Sequence, residues 1–167
     1  MIDIRYGCRA DMPQLMGLLD EMGRHERLPV SISQERLTAD AFGPSQRVKV
    51  LVAEANGRLV GYALYYECYS SFQGPGLFLE DLFVCENYRT HRVGRELLAR
   101  VAGAAQGYFG ILFNVLDWNA PALGFFARAG ATVLNERKTL CFGAEALRQL
   151  QQPRPHPSAC RFAQHGP

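Results

Sequence analysis

Two stretches of this 167-residue chain combine residue types and spacing suited to chemistry. The first is Val84-Cys85-Glu86-Asn87-Tyr88-Arg89-Thr90-His91-Arg92-Val93-Gly94-Arg95, where an apolar run gives way to a helical pattern and three arginines and a histidine crowd together. The first N–H groups of a helix are unpaired and its dipole favours negative charge, so a strand-loop-helix junction receives anions readily, and Gly94 lets a phosphate approach the backbone. Cations at a helix start oppose the dipole, which favours a bound anion over the alternative, a solvated basic helix end. The second stretch is Glu80-Asp81 inside the apolar run Leu77 to Val84. Adjacent carboxylates can do general acid-base work, although the pair by itself reads first as an ion-paired couple inside a sheet.

These residues need elements to hold them. Ile2, Ile4 and Tyr6 alternate with polar residues as in a short strand. Ala10-Asp11-Met12-Pro13 then opens a helix, with an acidic cap, that carries Leu15, Leu18, Leu19 and Met22 at helical spacing. Ser31 or Ser33 caps a second helix bearing Leu37 and Phe42, which ends near Gly43-Pro44. Val48 to Glu54 and Leu59 to Tyr66 read as strands joined through Asn56-Gly57, a pair that supplies the positive backbone angles of a tight turn. After the loop Gln73-Gly74-Pro75-Gly76, Leu77 to Val84 reads as a third antiparallel strand buried on both faces. Gly94 to Gln106 is expected as a helix, Ile111 to Leu116 as a strand and Ala120 to Arg128 as a helix ending at Gly130. Thr132 to Leu134 and Lys138 to Phe142 are expected as a final strand pair, followed by a short helix from Ala144 to Leu150. The pattern predicts one domain over 1–150 and a flexible proline-containing tail over 151–167.

Composition narrows the classes. With 48% hydrophobic and 20% charged residues, the chain suits one globular domain with a real core. Eighteen Lys and Arg against sixteen Asp and Glu, scattered along the chain, leave no polybasic face for nucleic acid or an anionic membrane. Cys8, Cys68, Cys85, Cys141 and Cys160 stand far apart, none at zinc or redox-pair spacing, so buried thiols in a reducing compartment and no metal are expected. No apolar run has the length of a signal peptide or a membrane span, so a cytoplasmic protein is expected.

The loop Tyr88-Arg89-x-x-Arg92-Val93-Gly94, the preceding Leu79-Glu80-Asp81-Leu82-Phe83-Val84, and the downstream Leu116-Asp117-Trp118-Asn119-x-Pro121-Ala122-x-x-Phe125-Phe126-x-x-x-Gly130-Ala131 resemble the GNAT acetyltransferase superfamily. Within it the likeness is to the diamine and spermidine/spermine N-acetyltransferase branch and its bacterial relatives, over about Ile2 to Leu150. The resemblance implies the α/β (α+β) GNAT fold, an acyl-CoA N-acyltransferase fold whose central, mixed and mostly antiparallel sheet is flanked by helices. It implies acetyl-CoA as co-substrate, a small amine (diamine, polyamine or amino-acid-like) as acceptor, direct transfer and a homodimer. By the same resemblance the backbone of Leu82, Phe83 and Val84 pairs with the pantetheine arm. The loop Arg89, Thr90, His91, Arg92, Val93, Gly94 and Arg95 holds the pyrophosphate, and Asn119 adds a further CoA contact. Glu80 matches the family's base and Asp81 a residue holding the cationic substrate. Since successive strand residues face opposite ways, only one of the two is expected to line the cleft. Glu26, expected in the loop after the first helix, matches a residue near the polyamine, and Tyr65, Tyr66 and Trp118 are candidates for an aromatic wall against an alkylammonium.

Two positions depart from the pattern. Arg92 stands at the first glycine of the pyrophosphate loop, and Phe126 stands where the family motif carries the tyrosine that protonates the thiolate. A guanidinium can itself meet phosphate, whereas phenylalanine cannot donate a proton. The alternative these departures open is a GNAT-fold protein with lost or altered acetyl transfer, acting as a binding or regulatory module or using another acyl donor.

Overall fold

The computed structural model describes residues 2–151, and the tail expected beyond Pro153 lies outside them. These residues fall into two units, divided after Ala131. The first carries strands β1 (Ile2–Tyr6), β2 (Lys49–Ala55), β3 (Arg58–Ser70), β4 (Gly74–Val84) and β5 (Ile111–Leu112), and helices α1 (Met12–Glu26), α2 (Gln34–Phe42), α3 (Val93–Ala104) and α4 (Ala120–Arg128). The strands lie in sequence order in one sheet, antiparallel from β1 to β4 and parallel between β4 and β5. The mixed, mostly antiparallel sheet is the one the sequence predicts.

The β2–β3 turn forms as read, with Asn56 at φ 51° and Gly57 at φ 75°, the paired positive angles a two-residue hairpin needs. Each face of the sheet has its own core. On one, Val93, Leu97 and Val101 of α3 bury against Leu51, Ala53, Ala63, Tyr65, Leu77 and Leu79. On the other, Met12, Leu15, Leu18 and Leu19 of α1 and Leu37 and Ala41 of α2 cover Val50, Val52, Tyr62, Leu64 and Phe83. Burial on both faces is why the central strands read as nearly continuous apolar runs. Ser33 caps α2 by accepting from Arg36 N.

Several local expectations are corrected. Asp11 precedes α1, but its carboxylate does not cap the helix. It takes two hydrogen bonds from the Arg5 guanidinium, at 2.7 and 2.8 Å, and one from Cys8 N, tying the helix start to β1. Glu26 is the last residue of α1, not a loop residue. The loop at Gly74 to Gly76 is already strand, because β3 and β4 continue as a two-stranded ribbon out to the Ser70–Gly74 pair. The strand expected over Ile111 to Leu116 ends after Leu112: its partner pairs are Leu77–Ile111 and Phe78–Leu112 only, and the chain then turns away from β4.

The second unit contains α5 (Ala144–Gln151), matching the expected closing helix. The strand pair expected over 132–134 and 138–142 does not form among the described residues. A strand needs a ladder partner for its N–H and C=O groups, and here Val133, Leu134, Leu140 and Phe142 remain exposed on an unpaired chain.

Candidate functional site

A bulge in β4 organises the site. Opposite Leu64 lies Asp81 and opposite Tyr65 lies Leu79, so Glu80 is an extra residue with no partner on β3. Leu77 and Leu79 join the core under α3, but beyond the bulge Leu82 and Val84 are on that side while Phe83 packs in the core under α1. The alternation of faces is reset by one. The expectation that only one of Glu80 and Asp81 lines the cleft is therefore corrected: both do.

Beyond Phe78, β5 is no longer paired with β4, and the edge of β4 from Leu79 to Val84 borders a cavity of about 550 Å³ closed on the far side by Phe113 to Leu116. This size lies in the range of small-ligand sites, roughly 300–1,000 Å³. Its polar lining is of two kinds. Glu26 from α1 joins Glu80 and Asp81, while Arg89, Arg92 and Arg95 around the start of α3 and Arg128 from α4 supply cations.

Arg89 is fixed by donating from Nε to the Val84 carbonyl at 3.0 Å and by lying 6.0 Å above the Phe83 ring. Arg92 precedes α3 with φ 62°, the left-handed region that glycine would occupy without strain, and its side chain lines the cavity. Gly94 lies on the cavity wall inside α3. A Cβ there would stand 3.5 Å from Phe125 Cζ, an ordinary contact, so packing does not demand the glycine, and its bare backbone fits the close approach of a phosphate. Asn119 lines the cavity and caps α4, its Oδ1 accepting from Ala122 N at 3.2 Å.

The carboxylates differ in environment. Tyr66 Oη donates to Glu80 Oε2 at 3.3 Å in an exposed setting, with the Tyr66 ring stacked on Phe78. Asp81 is part-buried, and Tyr62, 0% exposed, donates to its Oδ2 at 3.3 Å. Burial, then the charges of Glu80 and Glu26, push the Asp81 carboxyl up to about 7 against the opposing hydrogen bond from Tyr62. Tyr62, buried beside that carboxyl, holds its own proton well beyond the ordinary tyrosine range.

Of the residues anticipated from sequence, Glu26, Glu80, Asp81, Leu82, Phe83, Val84, Arg89, Arg92, Gly94, Arg95, Asn119 and Phe126 gather around the cavity. Others do not line it. Val93 is buried in the core under α3, and His91 lies in the 3₁₀ turn with Thr90, its ring 5.9 Å from Tyr88. Tyr65 is a core residue, and Trp118 is half-exposed, with the Arg27 guanidinium 5.5 Å over its ring and the His25 ring 6.5 Å away. The aromatic wall is thus not assembled. Phe126 packs on Phe113 with ring centroids 4.4 Å apart, completing an apolar wall. Sequence reasoning missed Met22, His25, Phe125 and Arg128. Arg128 carried no distinct signal, since a cation ending an apolar helix reads as a partner for the helix dipole.

Residues 16–131 match the Acetyltransferase (GNAT) family model. A thialysine N-epsilon-acetyltransferase from Bos taurus is 35% identical over 162 residues, covering 88% of this chain and 95% of that protein. A spermidine/spermine N(1)-acetyltransferase-like protein 1 from Homo sapiens is 30% identical across 81% of this chain and 21% of its own length. Among solved structures, an integron cassette protein from V. cholerae superposes with a TM-score of 0.75 at 21% identity, covering 91% of this chain and 98% of that one, a likeness of fold.

Proposed function

The chain belongs to the GNAT acetyltransferase family, and from that premise we propose that it transfers the acetyl group of acetyl-CoA directly to a small amine, a diamine, polyamine or amino-acid-like amine. The observation that carries this reading is the cavity itself, which holds four arginines and three carboxylates along the unpaired edge of one strand. An ammonium substrate and a polyanionic acyl donor need opposite charges within one cleft, and a core-lined interior keeps both interactions strong.

In this reading the free N–H and C=O groups of Leu82, Phe83 and Val84 meet the pantetheine arm where β5 has left β4. Arg89, Arg92, Arg95 and the start of α3 at Val93 and Gly94 receive the pyrophosphate, and the loop residues Thr90 and His91 shape that turn. Asn119 and Phe126 border the acyl donor. Glu26 holds the cationic amine, with Asp81 beside it in the cavity lining, and Tyr66 acts through its hydrogen bond to Glu80. Trp118 stands outside the cavity lining, with its ring by His25, which does line it. Glu80, the more exposed carboxylate, takes the ammonium proton and releases it to water, leaving a neutral nitrogen lone pair to attack the thioester carbonyl.

Arg92 in the cavity wall favours this reading over a closed or altered site, because its guanidinium adds to the anion-binding lining without sealing the cleft. Calorimetric titration with CoA and acetyl-CoA, followed by thiol release with a panel of diamines, polyamines and diamino acids, tests it. Binding and turnover are expected; a protein that binds neither form of CoA is not an acetyltransferase. Glu80→Gln is expected to lower kcat at neutral pH while CoA affinity holds.

We also propose a cytoplasmic homodimer. The apolar Val133, Leu134, Leu140 and Phe142, exposed in the single chain, support the dimer, and among the described residues no helix is long and apolar enough to cross a membrane. Light scattering at micromolar concentration measures the oligomer.

A further inference from the structure

Direct transfer requires a proton for the departing thiolate, and the position where the family resemblance expects a tyrosine hydroxyl is Phe126, whose ring packs between Phe113 and Phe125. No serine, tyrosine, cysteine or lysine is among the described residues lining the cavity. Apart from the arginines, the titratable side chains there are His25, Glu26, Glu80 and Asp81. His25 is exposed and its ring turns toward Trp118, 6.5 Å between centroids. Asp81 differs from the other two carboxyls in its setting: it is part-buried, as Glu26 is and Glu80 is not, and it alone of the three takes a hydrogen bond from a fully buried tyrosine.

We infer that Asp81, positioned by Tyr62, is the proton donor to the departing CoA thiolate, in place of the hydroxyl that Phe126 lacks. The assignment rests on the acetyl-transfer reading above. It makes the two neighbouring carboxyls an acid and a base, separated by environment, as the β-bulge places both on one face, Asp81 part-buried against Tyr62 and Glu80 exposed. The groups facing Asp81 are Tyr62 from β3, Glu26 from α1 and Glu80 on its own strand. The two carboxylates favour its neutral, proton-carrying form, and Tyr62 moderates that preference.

The protons balance. Glu80 passes one ammonium proton to water, and the nitrogen lone pair forms the C–N bond. As the C–S bond breaks, the sulfur leaves with its electron pair and takes the Asp81 proton. The remaining surplus N–H proton of the adduct returns to the Asp81 carboxylate, so amide, thiol and one released proton result. Tyr62 is a positioning residue, acting through the Asp81 carboxyl.

The test compares pH profiles of the full-length protein with acetyl-CoA and the best amine of the panel. In the wild type, kcat falls as pH rises beyond about 7, as Asp81 loses its proton. Asp81→Asn lowers kcat by about 10²- to 10⁴-fold, the usual loss for a general acid, while CoA affinity measured by calorimetry is retained. Tyr62→Phe removes a hydrogen bond that favours the charged carboxylate, so the falling limb moves to higher pH, and a carbon-13 titration of the Asp81 carboxyl moves with it. Phe126→Tyr in the Asp81→Asn background restores turnover by a larger factor than the same change gives in the wild type, since the added hydroxyl then supplies the only acid. Asp81→Asn turning over at the wild-type rate, a Tyr62→Phe limb that stays in place, or equal gains from Phe126→Tyr in both backgrounds would overturn the assignment. A wild type that acetylates no amine takes the acetyl-transfer reading with it, whereas an active wild type with an active Asp81→Asn removes the assignment alone.

Discussion

Single residues set the chemistry here through their surroundings rather than their identity. Asp81 and Glu80 are neighbours of one chemical type, yet one is part-buried against Tyr62 and the other stands exposed beside Tyr66. Burial has a consequence for stability. The folded Asp81 carboxyl titrates at about 7, above the roughly 4 of an unfolded aspartate, so folding favours its neutral form. Stability from that preference is complete below the unfolded value and is lost as pH rises through the folded one. Asp81→Asn is therefore expected to melt above the wild type at pH 8, with the gap closing toward pH 4; a gap independent of pH would show that the carboxyl is not desolvated. At Arg92 two effects oppose. Its left-handed backbone costs about 1 kcal/mol, and its guanidinium lines the cavity. Arg92→Gly is expected to leave the melting temperature level or higher while weakening CoA binding, and the weakening should shrink as salt is raised. Loss of stability without loss of affinity would make Arg92 a structural residue.

At the scale of elements, two irregularities in the sheet make the site. The bulge at Glu80 places adjacent carboxylates on one face, and the early end of β5 leaves the β4 edge free. Helix α3 couples this edge to the core, since Val93, Leu97 and Val101 are buried while Gly94 and Arg95 line the cavity. Leu97→Ala is expected to cost 2–5 kcal/mol of unfolding free energy (about the range for buried leucine truncation), read by urea titration. Gly94→Ala should spare stability and weaken CoA binding, because its Cβ meets no close neighbour in the chain but would stand in the path of a phosphate. The opposite ranking of these two variants would place the function of α3 in packing alone.

For the molecule as a whole, ionisation pulls stability in two directions. The Asp11 carboxyl, paired with the Arg5 guanidinium, is held down to about 2, so its contribution is present above the unfolded value near 4 and fades as pH falls toward 2. Asp81 works the other way, and the fold is expected to be most stable on the mildly acidic side of neutrality. Asp11→Asn should lower unfolding free energy by on the order of 1–2 kcal/mol at pH 7 and by less at pH 2, as melting curves at the two pH values would show. An equal loss at both would exclude the ion pair as its origin.

What the sequence by itself determined is local or periodic. The Asn56-Gly57 turn, the Ser33 cap, the helices around Leu15, Leu97 and Phe125, and the apolar runs of the central strands follow from backbone preference and side-chain spacing. The cationic loop before α3 was legible too, because its residues are contiguous and lead into a helix start. The tertiary structure decided where the sheet departs from regularity. A bulge leaves no mark in composition, since the extra residue is set by how β3 and β4 match in length across two cores, and so the shared face of Glu80 and Asp81 was not readable. The brevity of β5, the unpaired chain from Thr132, the core position of Tyr65 and the partnership of Tyr62 with Asp81 likewise depend on which surfaces meet. Those are contacts between residues distant in sequence, and no local propensity encodes them.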